Sequence, residues 1–183
     1  MRPRMCLALI ATMTFGLSDM VYAADTRPVI TAAVHNYAAV PGGVLTEAEA
    51  EASRIFRHAG VRVRWVGPLE TEARVRVHIL SGEMTVRTRT RPDVLGLATV
   101  DSGMVWVLYD RVVDSSESVS VRVSRVLGFV MAHEIGHVLL AGRGHSHVGL
   151  MKPRLDPDVL RTGLIGFTPQ ERREIRTSAL LSE

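Results

Sequence analysis

Cysteine, lysine and aromatic side chains are all scarce in this 183-residue sequence, and each scarcity excludes something. Cys6 is the only cysteine, so neither an intramolecular disulfide nor a cysteine-based zinc finger can form. Lys152 is the only lysine, which leaves the basic side chains almost entirely arginine. Aromatics are 5% of the chain, and Trp65 is the only one among the arginines between positions 62 and 91. A single-strand nucleic-acid surface interleaves cations with stacking rings, so that class is set aside. No apolar run reaches the roughly 20 residues a membrane-spanning helix needs. With 46% hydrophobic and 22% charged residues, the composition excludes disordered and collagen-like chains, and the length suits one globular domain. Histidine, by contrast, is concentrated. Of seven, His133, His137, His145 and His147 fall within fifteen residues.

The first segment reads as a targeting signal. Arg2 and Arg4 precede an apolar stretch from Met5 to Leu17, interrupted only by small and hydroxylated residues. A more polar stretch then ends with Val21 and Ala23 at the minus-three and minus-one positions of a cleavage site. Residues 1–23 are therefore expected to be a cleaved signal peptide, leaving 24–183 as a single catalytic-type domain without cysteine. Secretion or periplasmic export follows as the expected localisation, with no membrane span after cleavage. Loss of Arg2, Arg4 and Asp19 would take the net charge from +3 to +2, too little to dictate a partner.

Seven arginines, at 62, 64, 74, 76, 87, 89 and 91, crowd one stretch. Several alternate with valine, as in Val61-Arg62-Val63-Arg64 and Arg74-Val75-Arg76-Val77. Period two is the signature of a strand with one buried and one wet face, so these arginines are expected on a solvated sheet face, with no nucleic acid as partner. The remaining periodicities give an α+β layout. An apolar run, Val29 to Val34, fits a buried first strand, and Pro41-Gly42-Gly43 a turn. Thr46 and Glu49 form a capping-box pattern for a first helix whose face carries Ala48, Ala52, Ile55 and Phe56 and which Gly60 ends. Strands are expected at about 61–66, 73–80 and 95–100, a looser extended piece near 84–90, and a central strand from Met104 to Tyr109. Ser115 to Ser118 read as the polar entry to a long helix over about 119–140, broken by Gly142 and Gly144. After an irregular stretch, Thr168-Pro169-Gln170-Glu171 opens a C-terminal helix with a capping box and proline at its first position. His35, His58 and His78 are scattered over these elements and read as structural or solvated.

The chemistry concentrates in His133-Glu134-Ile135-Gly136-His137. Residues four apart share a helix face, so two imidazoles point the same way and can share one tetrahedral cation. Glu134 lies beside that row, within reach of a water at the same site, which is the arrangement of metal-assisted hydrolysis. A catalytic zinc takes three protein ligands and keeps one open position. The glycines at 142 and 144 allow the chain to turn and return His145 to the pair. His147, Asp156, Glu171 and Glu174 are the competing third ligands. Gly149-Leu150-Met151-Lys152-Pro153 follows as a turn with Met151 inside it.

Two helix-borne histidines, a glycine break, a third histidine and a methionine turn together resemble the metzincin zinc metalloproteases. The layout is most similar to matrix-metalloproteinase-like catalytic domains, which share the His-Ser after the break and the Met-x-Pro. In specific motif the resemblance spans about 133–153. It departs from the H-E-x-x-H-x-x-G-x-x-H pattern by two residues, since Leu140 and Arg143 stand where glycine and histidine would fall. The resemblance implies a small twisted mixed sheet with a first helix, a long active-site helix, a methionine turn and a C-terminal helix. It implies one catalytic Zn2+ on His133, His137 and His145, Glu134 as the catalytic base, Met151 as an apolar floor, and a peptide or protein substrate paired along a strand near Leu95 to Val100. A zinc-binding module without hydrolysis and a zinc amidase acting on non-peptide substrates are the alternatives.

Overall fold

A computed structural model describes residues 25–154 and 156–181. The expected signal segment and Cys6 lie outside these residues. The chain runs β1 (Val29–Asn36), α1 (Gly42–His58), β2 (Arg62–Val66), β3 (Val75–Leu80), α2 (Gly82–Arg87), β4 (Gly96–Thr99), β5 (Met104–Leu108), α3 (Tyr109–Ser118), α4 (Val123–Leu139), α5 (Pro157–Thr162) and α6 (Pro169–Leu180). The strands form one mixed sheet in the order β2-β1-β3-β5-β4. The first four are parallel and β4 is an antiparallel edge strand, with Gly96 opposite Val107 and Thr99 opposite Met104. No helix among the described residues is long and apolar enough to cross a membrane.

Alternation decides which sheet face is covered. Ile30, Ala32, Val34, Val75, Val77, Ile79, Val105 and Val107 point to one side and are buried with the apolar faces of α1 and α4. Trp65 joins them and donates its indole N–H to Ser53 on α1 at 2.8 Å. Arg62 and Arg64 are exposed, as a wet outer face requires. Arg74 behaves differently, because its guanidinium reaches the Ser178 carbonyl and hydroxyl on α6. On the outer face His35, His78 and Trp106 stand side by side on β1, β3 and β5, the two imidazoles stacked 4.4 Å apart. The α4 helix runs through the core with fourteen buried residues, so His133 and Glu134 are carried on its most enclosed part.

Four local expectations need correction. The segment near 84–90 is not extended. Residues 82–87 form α2, entered from an extended Ser81 with Glu83 in the first turn. The β-branched Thr85, Val86 and Thr88 suggested a strand, but local propensity yields to tertiary placement here. Ser115 to Ser118 are the last turn of α3, not the start of the long helix. Ser120, at φ 55°, separates α3 from α4, which begins at Val123. Gly42 and Gly43 form the first turn of α1, and no side chain caps that helix, so the Thr46–Glu49 pattern lies inside it. Pro41, extended at φ −55°, delivers the chain into the helix instead. The capping box at Thr168 and Glu171 forms in full, with Pro169 at the first position.

Candidate metal centre

Helix α4 supplies the first half of the site. His133 and His137 stand one turn apart and their Nε2 atoms lie 3.1 Å from each other. Two nitrogens bound about 2.05 Å from a tetrahedral ion would be about 3.3 Å apart, so the pair is already at ligand spacing. His133 Nδ1 donates to the Leu150 carbonyl at 2.8 Å, which leaves its Nε2 as the lone-pair nitrogen facing His137. Burial lowers the His133 pKa to about 4 and lowers that of His137 as well, so both rings are neutral donors at pH 7. A hydrogen bond with the Arg143 backbone partly opposes the shift at His137. Each helix histidine is thus oriented by backbone that follows the helix.

The second half comes from the chain after α4. Helix α4 ends with the Gly142 N–H donating to the His137 carbonyl at 3.0 Å. Ala141 and Gly142 are both left-handed, at φ 51° and 72°, and this double reversal turns the chain back. The expectation placed the second break at Gly144. The structure puts it at Ala141, a residue whose side chain tolerates that backbone at a cost. His145 then arrives beside the pair. Its ring centroid is 5.3 Å from that of His133 and 4.9 Å from that of His137. One ligand atom from each of the three lies within 4.8 Å of the others, the only such His, Cys, Asp and Glu grouping among the described residues. Three imidazoles with one side open, two of them held neutral by burial, fit a zinc ion with a free fourth position.

The competing residues are placed elsewhere. His147 lines a separate groove with Phe167 and Arg172. Asp156 caps α5 through the Asp158 N–H at 3.0 Å. Glu171 is 2% exposed and accepts from the Thr168 N–H at 2.7 Å and from the Ser146 hydroxyl. Glu174 pairs with Arg143 at 3.1 Å. Glu171 and Glu174, candidates for the third ligand on sequence, do not join the histidines. They instead tie α6 to the returning loop, and the capping-box signal at Thr168 was the only trace of this in the sequence.

Two close approaches shape the surroundings. Met151 is fully buried, and a methyl group on Gly136 would stand 2.8 Å from its sulfur and 2.9 Å from the Phe167 ring. Only glycine at position 136 lets this apolar layer seat directly against the histidine-bearing turn. On the other side, Glu134 packs against Gly96 of β4, where a methyl group would come within 2.7 Å of its carboxyl oxygen. Burial raises the Glu134 pKa to about 8. Glu134, His133 and His145 open onto a cleft of about 820 Å³ that Leu95, Gly96, Lys152 and Arg154 also line.

No family model and no curated protein sequence matches the chain. Solved structures do. The fold is similar to that of archaemetzincin from Methanopyrus kandleri, at 12% identity and a TM-score of 0.54, over 87% of this chain and 98% of that one. It is also similar to a zinc-dependent peptidase from Methanocorpusculum labreanum, at 17% identity and a TM-score of 0.53, over 79% of this chain and 99% of that one. The chain therefore has the α+β fold found in zinc peptidases, with three histidines gathered at one point of it.

Proposed function

We propose that the protein is an exported zinc-dependent peptidase. The observation that carries this reading is the meeting of His133, His137 and His145 beside the buried carboxyl of Glu134 at the floor of an open cleft. Zinc, when bound there, would supply a Lewis acid that polarises the scissile carbonyl and acidifies water. The chain's own groups do the rest. Leu150 holds the His133 ring in the tautomer that presents Nε2. Glu134, whose carboxylate form burial alone disfavours and the charge of zinc bound nearby would favour, accepts a proton from the attacking water and passes it to the leaving amine. Met151 and Phe167 keep the underside of the site dry and apolar. The β4 edge strand, with Leu95 and Gly96 on the cleft wall, offers backbone groups for an extended peptide to add as a further strand. A binding module would gain nothing from burying an unpaired carboxyl beside its ligands, which favours hydrolysis over simple zinc storage.

Export rests on Arg2, Arg4, the Met5–Leu17 apolar run and the Val21/Ala23 cleavage pattern. Amino-terminal sequencing of protein recovered outside the cytoplasm is expected to begin at Ala24, and a start at Met1 would refute this part. Peptidase activity is tested by incubating the zinc-loaded protein with a peptide library. Cleavage by the wild type that disappears in Glu134→Gln supports the reading, and retained cleavage in the variant removes Glu134 from the mechanism.

A further inference from the structure

The two extra residues between His137 and His145 lengthen the path to the third ligand, and a longer loop pays more conformational entropy to hold one geometry. Something must offset that cost, because His145 is exposed and gains little from burial. The residue after it supplies the tether. Ser146 donates its backbone N–H to the Met151 carbonyl at 2.8 Å and its hydroxyl to one carboxyl oxygen of Glu171. The other Glu171 oxygen accepts the Thr168 N–H at 2.7 Å, and the Thr168 hydroxyl accepts the Glu171 N–H at 3.3 Å. Glu171 therefore has its two oxygens divided between the start of α6 and the histidine loop, in a site where it is 2% exposed. Leu150, whose carbonyl orients His133, donates its own N–H to the Gly166 carbonyl at 2.9 Å, two residues before Thr168. The start of α6 thus reaches both halves of the metal centre.

We infer that Glu171 and Ser146 are positioning residues for the third ligand: the capping carboxylate of α6 fixes the His145 loop through the Ser146 hydroxyl. This rests on the metal-site reading above. A buried carboxylate that only capped its helix would need one acceptor oxygen, and the second would be left unpaired away from water, which is unfavourable. Outer partners of this kind set ligand orientation and act on metal affinity more than on folding.

The test is zinc affinity, read by competition with a chromophoric chelator, together with the visible spectrum of the cobalt-loaded protein. Ser146→Ala removes only the hydroxyl and leaves the capping box intact. It is expected to weaken zinc binding about tenfold and to alter the cobalt bands, a change in ligand geometry that a mere loss of metal-free stability would not produce. Glu171→Ala is expected to weaken zinc at least as much, and the double variant no more than Glu171→Ala alone. Glu171→Gln is the conservative rescue, because its amide can accept from Thr168 and donate to the Ser146 oxygen. It is expected to retain most of the affinity. Wild-type zinc affinity in both Ser146→Ala and Glu171→Ala overturns the inference alone. A wild-type chain that binds no zinc overturns it together with the metal-site reading.

Discussion

The two halves of the histidine cluster are built by different physics. His133 and His137 ride on α4, whose period sets their spacing and whose burial holds them still. His145 sits on an exposed return that no periodicity defines. Its position depends on a double left-handed turn at Ala141 and Gly142 and on ties to α6 some 25 residues further on. Once formed, a helix fixes the spacing of its side chains by its own period. The loop is a tertiary device and fails if any of its remote contacts fails. Perturbations to the two halves should therefore differ in kind as well as in size.

The largest effect is expected at the helix half. Glu134→Gln should lower peptide cleavage by about 1,000-fold or more while metal analysis shows unchanged zinc. Next comes Gly136→Ala. Its methyl group would collide with Met151 and Phe167, and neither belongs to a flexible surface. Overpacking there should cost about 1–3 kcal/mol, measurable as a reduced denaturant midpoint.

A pH dependence follows for the metal-free protein. Burial raises Glu134 to about 8, so its contribution to stability is complete below the ordinary carboxyl pKa of 4.5 and is lost as pH rises through 8. Burial lowers His133 to about 4, so its contribution is complete above 6.5 and is lost as pH falls through 4. The chelator-treated chain should thus be most stable at mildly acidic pH, and its melting temperature should drop by roughly 5 °C between pH 5.5 and 8. Glu134→Gln should abolish the alkaline arm and leave the acidic one. An alkaline arm that persists in the variant would show that another group controls it.

The smallest effect belongs to the loop half. Gly144 has open space around it and no left-handed backbone, in contrast to Gly142. Gly144→Ala should leave the melting temperature unchanged or slightly higher, by reducing the freedom of the unfolded chain. A large loss there would mean the loop is tighter than its surroundings indicate.

What the sequence revealed follows the same division. The first strand, the Val/Arg strands, the edge strand near Leu95, the last helix with its capping box and the His-Glu-x-x-His turn all carry local signals, and all appear where those signals fall. The α3 helix was missed because it begins at Tyr109 directly after β5 and its serine-rich last turn, Ser115 to Ser118, reads as the entry to the next helix. The α2 helix was missed because its β-branched residues favour a strand when tertiary packing is ignored. At the metal centre, the third histidine could be proposed but not separated from its rivals. Nothing local shows that Glu171 faces Ser146 or that Glu174 faces Arg143. Those contacts exist only once α6 is docked against α4.

Zinc K-edge X-ray absorption on the purified protein, beside His145→Ala, addresses the central claim most directly. The account predicts one zinc per chain, with three imidazole ligands and one light oxygen ligand in the wild type, and the loss of one imidazole in the variant. A wild-type spectrum with two imidazoles and a protein carboxylate, or an unchanged spectrum in His145→Ala, would contradict it.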